Sequence, residues 1–180
     1  MKNRLKLILI VRRLYMDKNL EMQMVKLLSK DARLATTDLA MALNTYEDDI
    51  LETLDKLQKE RVILGYHTLI NWDKTNVDRV VAMIQVNVTP EREFGYDRVA
   101  RSIYQYPEVD TMYLMSGTSE FIVMVHGHTM QEVAHFVGSK LACIPAVTGT
   151  ATSFILKQYK LNGEIFEDQR KDEERLLVTP

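Results

Sequence analysis

The sequence predicts an α+β chain, with an N-terminal winged helix-turn-helix followed by a ferredoxin-like βαββαβ module. Three observations carry this expectation. Between Leu20 and Lys59, apolar residues recur at helical spacing in three short runs separated by turn signals. From Val80 onward, apolar strand-like runs and amphipathic helical stripes alternate in the order strand, helix, strand, strand, helix, strand. The composition is that of a globular protein: 180 residues, 46% hydrophobic and 27% charged, with seven Gly and four Pro. The divisions that follow are a basic N-terminal extension at 1–15, a winged helix-turn-helix at 16–66, a linker at 67–79, the βαββαβ module at 80–160 and a charged tail at 161–180.

The opening fifteen residues, MKNRLKLILIVRRLY, hold Lys2, Arg4, Lys6, Arg12 and Arg13 with no acid. Their apolar run, Leu7 to Val11, is too short for a signal-peptide core or a membrane span. A second methionine, Met16, follows. Three readings fit the segment: a start placed too far upstream, an additional strand or helix, or a basic arm. After it, Leu20, Met24, Leu27 and Leu28 give the first helical stripe. Thr36 and Thr37 are suitable N-caps for a short helix carrying Leu39, Ala40 and Leu43. Asn44-Thr45 breaks that helix and caps a third one with Ile50, Leu54 and Leu57 on its apolar side. A tight turn between the last two helices is the helix-turn-helix plan. Residues Arg61 to His67 follow as a strand signal, so a wing is expected there. A small helical bundle without any DNA-binding role shares the same periodicity.

The second part reads as regularly. Val80 to Val88 is a strand ending before Pro90, and Tyr96, Val99, Ala100 and Ile103 mark one face of a helix. Val109 to Ser116 and Glu120 to Val125 are apolar strands joined through Gly117-Thr118-Ser119, a hairpin signal. Met130, Val133, Ala134, Val137 and Leu141 make a second helical stripe, and Thr150 to Gln158 supplies the last strand. Two helices cover only one face of such a sheet, yet the middle strands are apolar on both. A second copy of the same sheet is the expected cover, with Met112, Leu114, Val123 and Val125 buried between subunits.

Several function classes are disfavoured. The net charge of −2 announces no basic excess for nucleic acid. The single cysteine, Cys143, allows no intrachain disulfide and suits a reducing cytoplasm; among Leu141, Ala142 and Ile144 it reads as a small core residue. His126, His128 and His135 lack acidic or thiol partners at ligand spacing and read as polar strand-end residues, so no metal is expected. There is no Ser-His-Asp or Cys-His order and no Gly-rich phosphate loop, hence no expected enzyme.

At this point the sequence resembles the Lrp/AsnC, or feast/famine, family of transcriptional regulators. The matching words run in order from about Leu20 to Lys160: LLSKDARL, VILGYHTLINWDK, YPEVDTMYLMSGTSEF and TATSFILKQYK. The resemblance implies a cytoplasmic DNA-binding protein that dimerises through the sheet modules and assembles further, up to octamers. It also implies an amino-acid effector between neighbouring modules and no other cofactor. Carried over by position, the effector residues are Gly117, Thr118, Ser119 and Glu120 of the hairpin, with Thr152 and Ser153 of the last strand. Glu120 stands where the family has aspartate. Glycine at 117 is chemically sensible, because it permits positive φ and close approach to backbone N–H groups.

The third helix departs from the family. NTYEDDILETLDKL, residues 44–57, carries five acids and one lysine. The DNA-facing positions implied by the resemblance are Thr45, Asp48, Asp49, Glu52, Thr53 and Lys56, with Thr53 in place of a characteristic arginine. A carboxylate about 4 Å from a phosphate is repelled by roughly 1 kcal/mol in water. Glu47, Asp48 and Asp49 also suit a helix first turn, where negative charge stabilises by about 0.3–1 kcal/mol each. That accounts for neither Glu52 nor Asp55. Two functions follow: a DNA-binding regulator responding to an amino acid, or an effector-binding oligomer of the same fold that acts through a protein partner.

Overall fold

A computed structural model describes residues 18–90 and 95–166. The basic segment 1–15 and the tail beyond Phe166 lie outside the described residues. The chain divides into two compact units between Leu69 and Ile70.

The first unit is helical. α1 (residues 18–28 as described), α2 (Thr36–Leu43) and α3 (Glu47–Lys59) enclose a core of Met24, Leu39, Ala40, Ile50 and Leu57. Leu20, Leu27, Leu28 and Leu54 pack against it, as their spacing predicts. Burying a residue such as Ile50 stabilises by roughly 1.5–3 kcal/mol. The turn between α2 and α3 is made by Asn44, whose left-handed backbone (φ 50°) lets its own N–H and that of Thr45 return to the α2 carbonyls of Met41 and Ala40. The expected threonine caps do not form. Ala35 is the N-cap of α2 and makes no side-chain cap bond, while the Thr36 hydroxyl donates to Glu47 on α3. Tyr46, not Thr45, is the N-cap of α3.

The expected wing strand over Arg61–His67 is also absent. Arg61 adopts φ 58°, and the Val62 and Ile63 N–H groups both donate to the Leu57 carbonyl, closing the end of α3. Its first N–H groups are spent there and Ile63 is turned onto the helical core, so these residues are not available for a strand ladder.

The second unit opens with a 3₁₀ turn at Trp72–Lys74, then β1 (Val80–Val88), α4 (Asp97–Tyr104), β2 (Val109–Leu114), β3 (Phe121–Gly127), α5 (Met130–Phe136) and β4 (Val147–Phe154). α5 continues into a π-helical turn, Val137–Leu141. The four strands form one antiparallel sheet in the order β2-β3-β1-β4, the split βαβ arrangement. The Asn162-Gly163 pair, both at positive φ, then turns β5 (Lys160–Leu161) onto β6 (Glu164–Ile165), so the start of the expected tail is a small hairpin.

Strand periodicity decides which face is the core. Ala82, Ile84, Val86 and Val88 of β1 align with Phe121, Val123 and Val125 of β3, and all are buried against Val99, Ile103, Val133, Phe136 and Leu141. Val123 and Val125 therefore belong to the subunit's own core, not to a contact between subunits. Met112 packs against the same core, and Leu114 is exposed. Among the described residues the face left uncovered is the other set: Val81, Met83, Ile122 and Met124 are half-buried and Tyr113 is exposed. Cys143 is likewise corrected. It follows the π turn, is exposed, and donates its S–H to the Gly138 carbonyl at 3.4 Å, because Leu141 and Ile144 take the inward positions.

Candidate functional site

The outward side of α3 carries its acids in defined roles. The Asp49 carboxylate accepts the Thr45 hydroxyl at 2.7 Å and the Tyr46 N–H at 3.4 Å, and Glu47 accepts from Thr36. These bonds secure the turn and the first orphan N–H of the helix. Asp55 pairs with Lys59 at 2.5 Å, and Lys56 pairs with Glu21 of α1 at 2.6 Å. The Thr53 hydroxyl turns back onto the Asp49 carbonyl at 2.6 Å. Two lysines of the helix are thus engaged by carboxylates. Asp48 and Glu52 remain exposed, with half-exposed Leu51 between them.

The hairpin residues divide into two sorts. Gly117 and Thr118 are exposed in the 115–120 turn, which is closed by the Met115 N–H donating to the Glu120 carbonyl at 2.8 Å. Gly117 does not use the left-handed backbone expected of it: positive-φ glycines among the described residues are Gly95 and Gly163. Its Cα instead faces open space, with nothing within 4 Å of where a Cβ would stand. Ser119 is buried, 8% exposed, and its hydroxyl lies 3.4 Å from the Gln85 amide oxygen. Glu120 is turned inward: its carboxylate accepts the Val88 N–H at 3.0 Å. That N–H belongs to the β-bulge where the β1–β4 register shifts between Asn87 and Val88. The extra length of glutamate spans from the hairpin to this bulge.

The last-strand pair lies elsewhere on the sheet. Thr152 is opposite Ile84 and Ser153 opposite Met83, and both are exposed. Because β1 separates β4 from β3, Thr152 and Ser153 are two strand spacings, roughly 10 Å, from the hairpin strand. Within one chain, the two halves of the expected site do not meet.

The sequence reading missed a chain of polar groups at the other end of the sheet. Arg79 lies 4.9 Å from the Trp72 ring and pairs with Asp110 at 3.0 Å; Asp110 in turn lies 3.0 Å from His126 Nδ1. Beyond it, Lys140 of the π turn pairs with Glu108 and lies over the Tyr106 and Phe136 rings. The Lys140 ammonium holds the Glu108 carboxyl below its usual range against the opposing effect of burial. Asp110 is added by a register shift between Val109 and Thr111, which no periodicity in the sequence announces. Among the described residues no group of three or more His, Cys, Asp or Glu could hold a metal, and no helix is long and apolar enough to cross a membrane.

Known proteins place this architecture. A family profile described as the Lrp/AsnC ligand binding domain matches residues 81–165, which hold the four-stranded sheet and the small hairpin. The uncharacterized HTH-type transcriptional regulator YugG of Bacillus subtilis (strain 168) is 38% identical over 161 residues, 89% of this chain and 96% of YugG. Among solved structures, AsnC of E. coli superposes with a TM-score of 0.62 at 19% identity, covering 83% of this chain and 97% of AsnC. The transcriptional regulator NMB0573 of Neisseria meningitidis, solved with L-Met, gives 0.63 at 21% identity, covering 79% and 91%. With an N-terminal helix-turn-helix unit, a split βαβ sheet and this extent of identity to YugG, the chain belongs to the Lrp/AsnC family of transcriptional regulators.

Proposed function

We propose that the protein is a cytoplasmic regulator that binds DNA as a homo-oligomer through residues 16–66 and senses a free amino acid through residues 80–160, without catalysis. The observation that carries this reading is the pairing, in one chain, of the helix-turn-helix with the matched ligand-binding domain. Three further features support it. The half-buried face of Val81, Met83, Ile122 and Met124 suits a second sheet, so that assembly begins as a dimer. Gly117 and Thr118 leave room for a ligand's carboxylate and ammonium, and Thr152 or Ser153 of a neighbouring copy would complete the contact that one chain cannot make. The NMB0573 structure contains L-Met. Ser119 and Glu120 serve this site by holding the hairpin on β1 rather than by touching the ligand.

The test is fluorescence anisotropy of the full chain with duplex DNA at two salt concentrations, with and without each amino acid. Binding that weakens with salt and is altered by one or a few amino acids is expected. Gly117→Phe, whose Cβ would have nothing within 4 Å and which breaks no positive-φ turn, should abolish the amino-acid response while leaving the fold intact. Absence of any amino-acid effect in the natural protein would overturn the sensing role.

A second reading has its own observation. With Lys56 and Lys59 engaged by Glu21 and Asp55, and Asp48 and Glu52 exposed, α3 is poorly suited to phosphates. An oligomer that acts through a protein partner would show amino-acid binding with no measurable affinity for any duplex.

A further inference from the structure

A cleft of about 470 Å³ opens between the end of β3 and the side of α5. It lies at the opposite end of the sheet from the 115–120 hairpin, since β3 enters beside the hairpin at Phe121 and leaves beside the cleft at Gly127. Its volume falls within the range of small-molecule sites. Val125, Val133 and Phe136 supply apolar wall, and the charged lining groups are Glu108, Glu132 and Lys140.

The polar groups are unequally satisfied. Lys140 is committed to Glu108 Oε1 and to the faces of Tyr106 and Phe136, at 5.4 Å and 5.7 Å. One Glu132 oxygen accepts the His128 N–H at 2.8 Å. Glu108 Oε2 is buried and has no hydrogen-bond partner. Two carboxylates against one ammonium leave one negative charge in excess, with an orphan acceptor beside it. An unpaired buried acceptor is unfavourable, so a donor that reaches it is favoured. Among the described residues no second amine or guanidinium lines the cleft; its other polar side chains are Gln131, His135 and His126, whose Nδ1 lies 3.0 Å from Asp110.

We propose that this cleft is a second ligand site, separate from the hairpin, that takes a protonated primary amine with an apolar body. The ammonium would sit between Glu132 and Glu108, and the hydrocarbon would lie along Phe136 and Val133. The same chemistry discriminates against the corresponding amino acid. Its carboxylate would stand beside Glu132 while the Lys140 ammonium is already paired with Glu108, and like charges so placed repel. The class is thus the decarboxylated relative of an apolar amino acid, so one chain would sense an amino acid and its amine at opposite ends of one sheet.

The experiment is isothermal titration of the full chain with phenethylamine and isopentylamine, set beside phenylalanine and leucine, in the natural protein and in three variants. Glu132→Gln keeps the shape and can still accept from His128; it should weaken amine binding about tenfold or more. Gln131→Trp, at an exposed position on the cleft's rim, should block the amine without touching the core. Gly117→Phe should leave amine binding unchanged. Millimolar or tighter amine binding with this pattern supports the site. Three results would each overturn it: no amine heat at millimolar concentration, amine binding indifferent to both cleft variants, or amino acids that bind the Gly117→Phe protein as well as the amines do. The outcome is independent of the DNA and hairpin assignments, which Gly117→Phe reports separately.

Discussion

The helical unit and the sheet unit solve the same problem with unequal means. Around Met24, Leu39, Ile50 and Leu57 the helical unit has a small core, and its outer surface is knit by polar bonds: Thr36 to Glu47, Thr45 to Asp49, Lys56 to Glu21, Lys59 to Asp55. The sheet unit has a continuous core from Val99 and Ile103 through β1 and β3 to Leu141, with three antiparallel ladders beneath it. Exposed ion pairs contribute little, typically about 0–1 kcal/mol, whereas each buried aliphatic contributes more. Glu47, Asp49 and Asp55 are compatible with a stable unit because they finish turns and helix ends, and the sheet unit carries the greater share of apolar burial.

The largest expected effect comes from breaking the larger core. Ile84, fully buried between Val123 and Thr152, tolerates no charge; Ile84→Asp should cost several kcal/mol and abolish the sheet's cooperative unfolding. Near-ultraviolet circular dichroism and hydrogen exchange at β1 would register it, and native protection of β1 in the variant would contradict the core assignment. Next is the smaller core. Ile50→Ala should cost about 2–5 kcal/mol, enough to melt the helical unit. Because the units are separately compact, the sheet amides should keep their protection while α1 to α3 exchange. Simultaneous loss of protection in both units would show that they fold as one.

A moderate effect should separate surface chemistry from stability. Replacing both exposed acids, Asp48→Asn with Glu52→Gln, removes roughly 1 kcal/mol of repulsion for each phosphate approached, or about fivefold in affinity per site. Anisotropy should show stronger binding to any duplex, with the melting temperature nearly unchanged. Loss of tight, sequence-specific binding in this variant would instead make the carboxylates base readers.

The smallest effect is one of pH. Glu108 is held below its ordinary value of 4.5, first by its bond to Lys140. A carboxyl whose folded value is depressed stabilises the fold above its unfolded value, and that contribution is lost as pH falls through the depressed one. Between neutral pH and about pH 5 the natural protein and Glu108→Gln should therefore respond alike to pH. Below 4.5 the natural protein should lose stability more steeply, which urea titrations of the sheet unit can follow. Parallel curves at all acid pH values would show that the Lys140 pair contributes nothing to folding.

Periodicity announced the order of the helices and of the four sheet strands, because burial imposes a 3.6 or a 2.0 repeat on the residues themselves, but it misread α5, where Met130 and Ala134 are exposed and Phe136 is buried ahead of the π turn. It also required that one sheet face stay uncovered. Which face did so was decided in three dimensions: Val123 and Met124 are equally apolar, and only the helices packed on Val123 leave Met124 for the open side. The same holds for the functional residues. Sequence position marked Gly117 and Glu120 alike, but Gly117 stands in open space while Glu120 is spent on the Val88 N–H at a bulge. The wing segment looked like a strand until the Leu57 carbonyl claimed its N–H groups, and the Glu108–Lys140 cleft joins residues thirty-two positions apart. Local spacing fixes what a segment can bury. Hydrogen-bond partners and faces are set by elements distant in the chain, and only the tertiary structure brings those together.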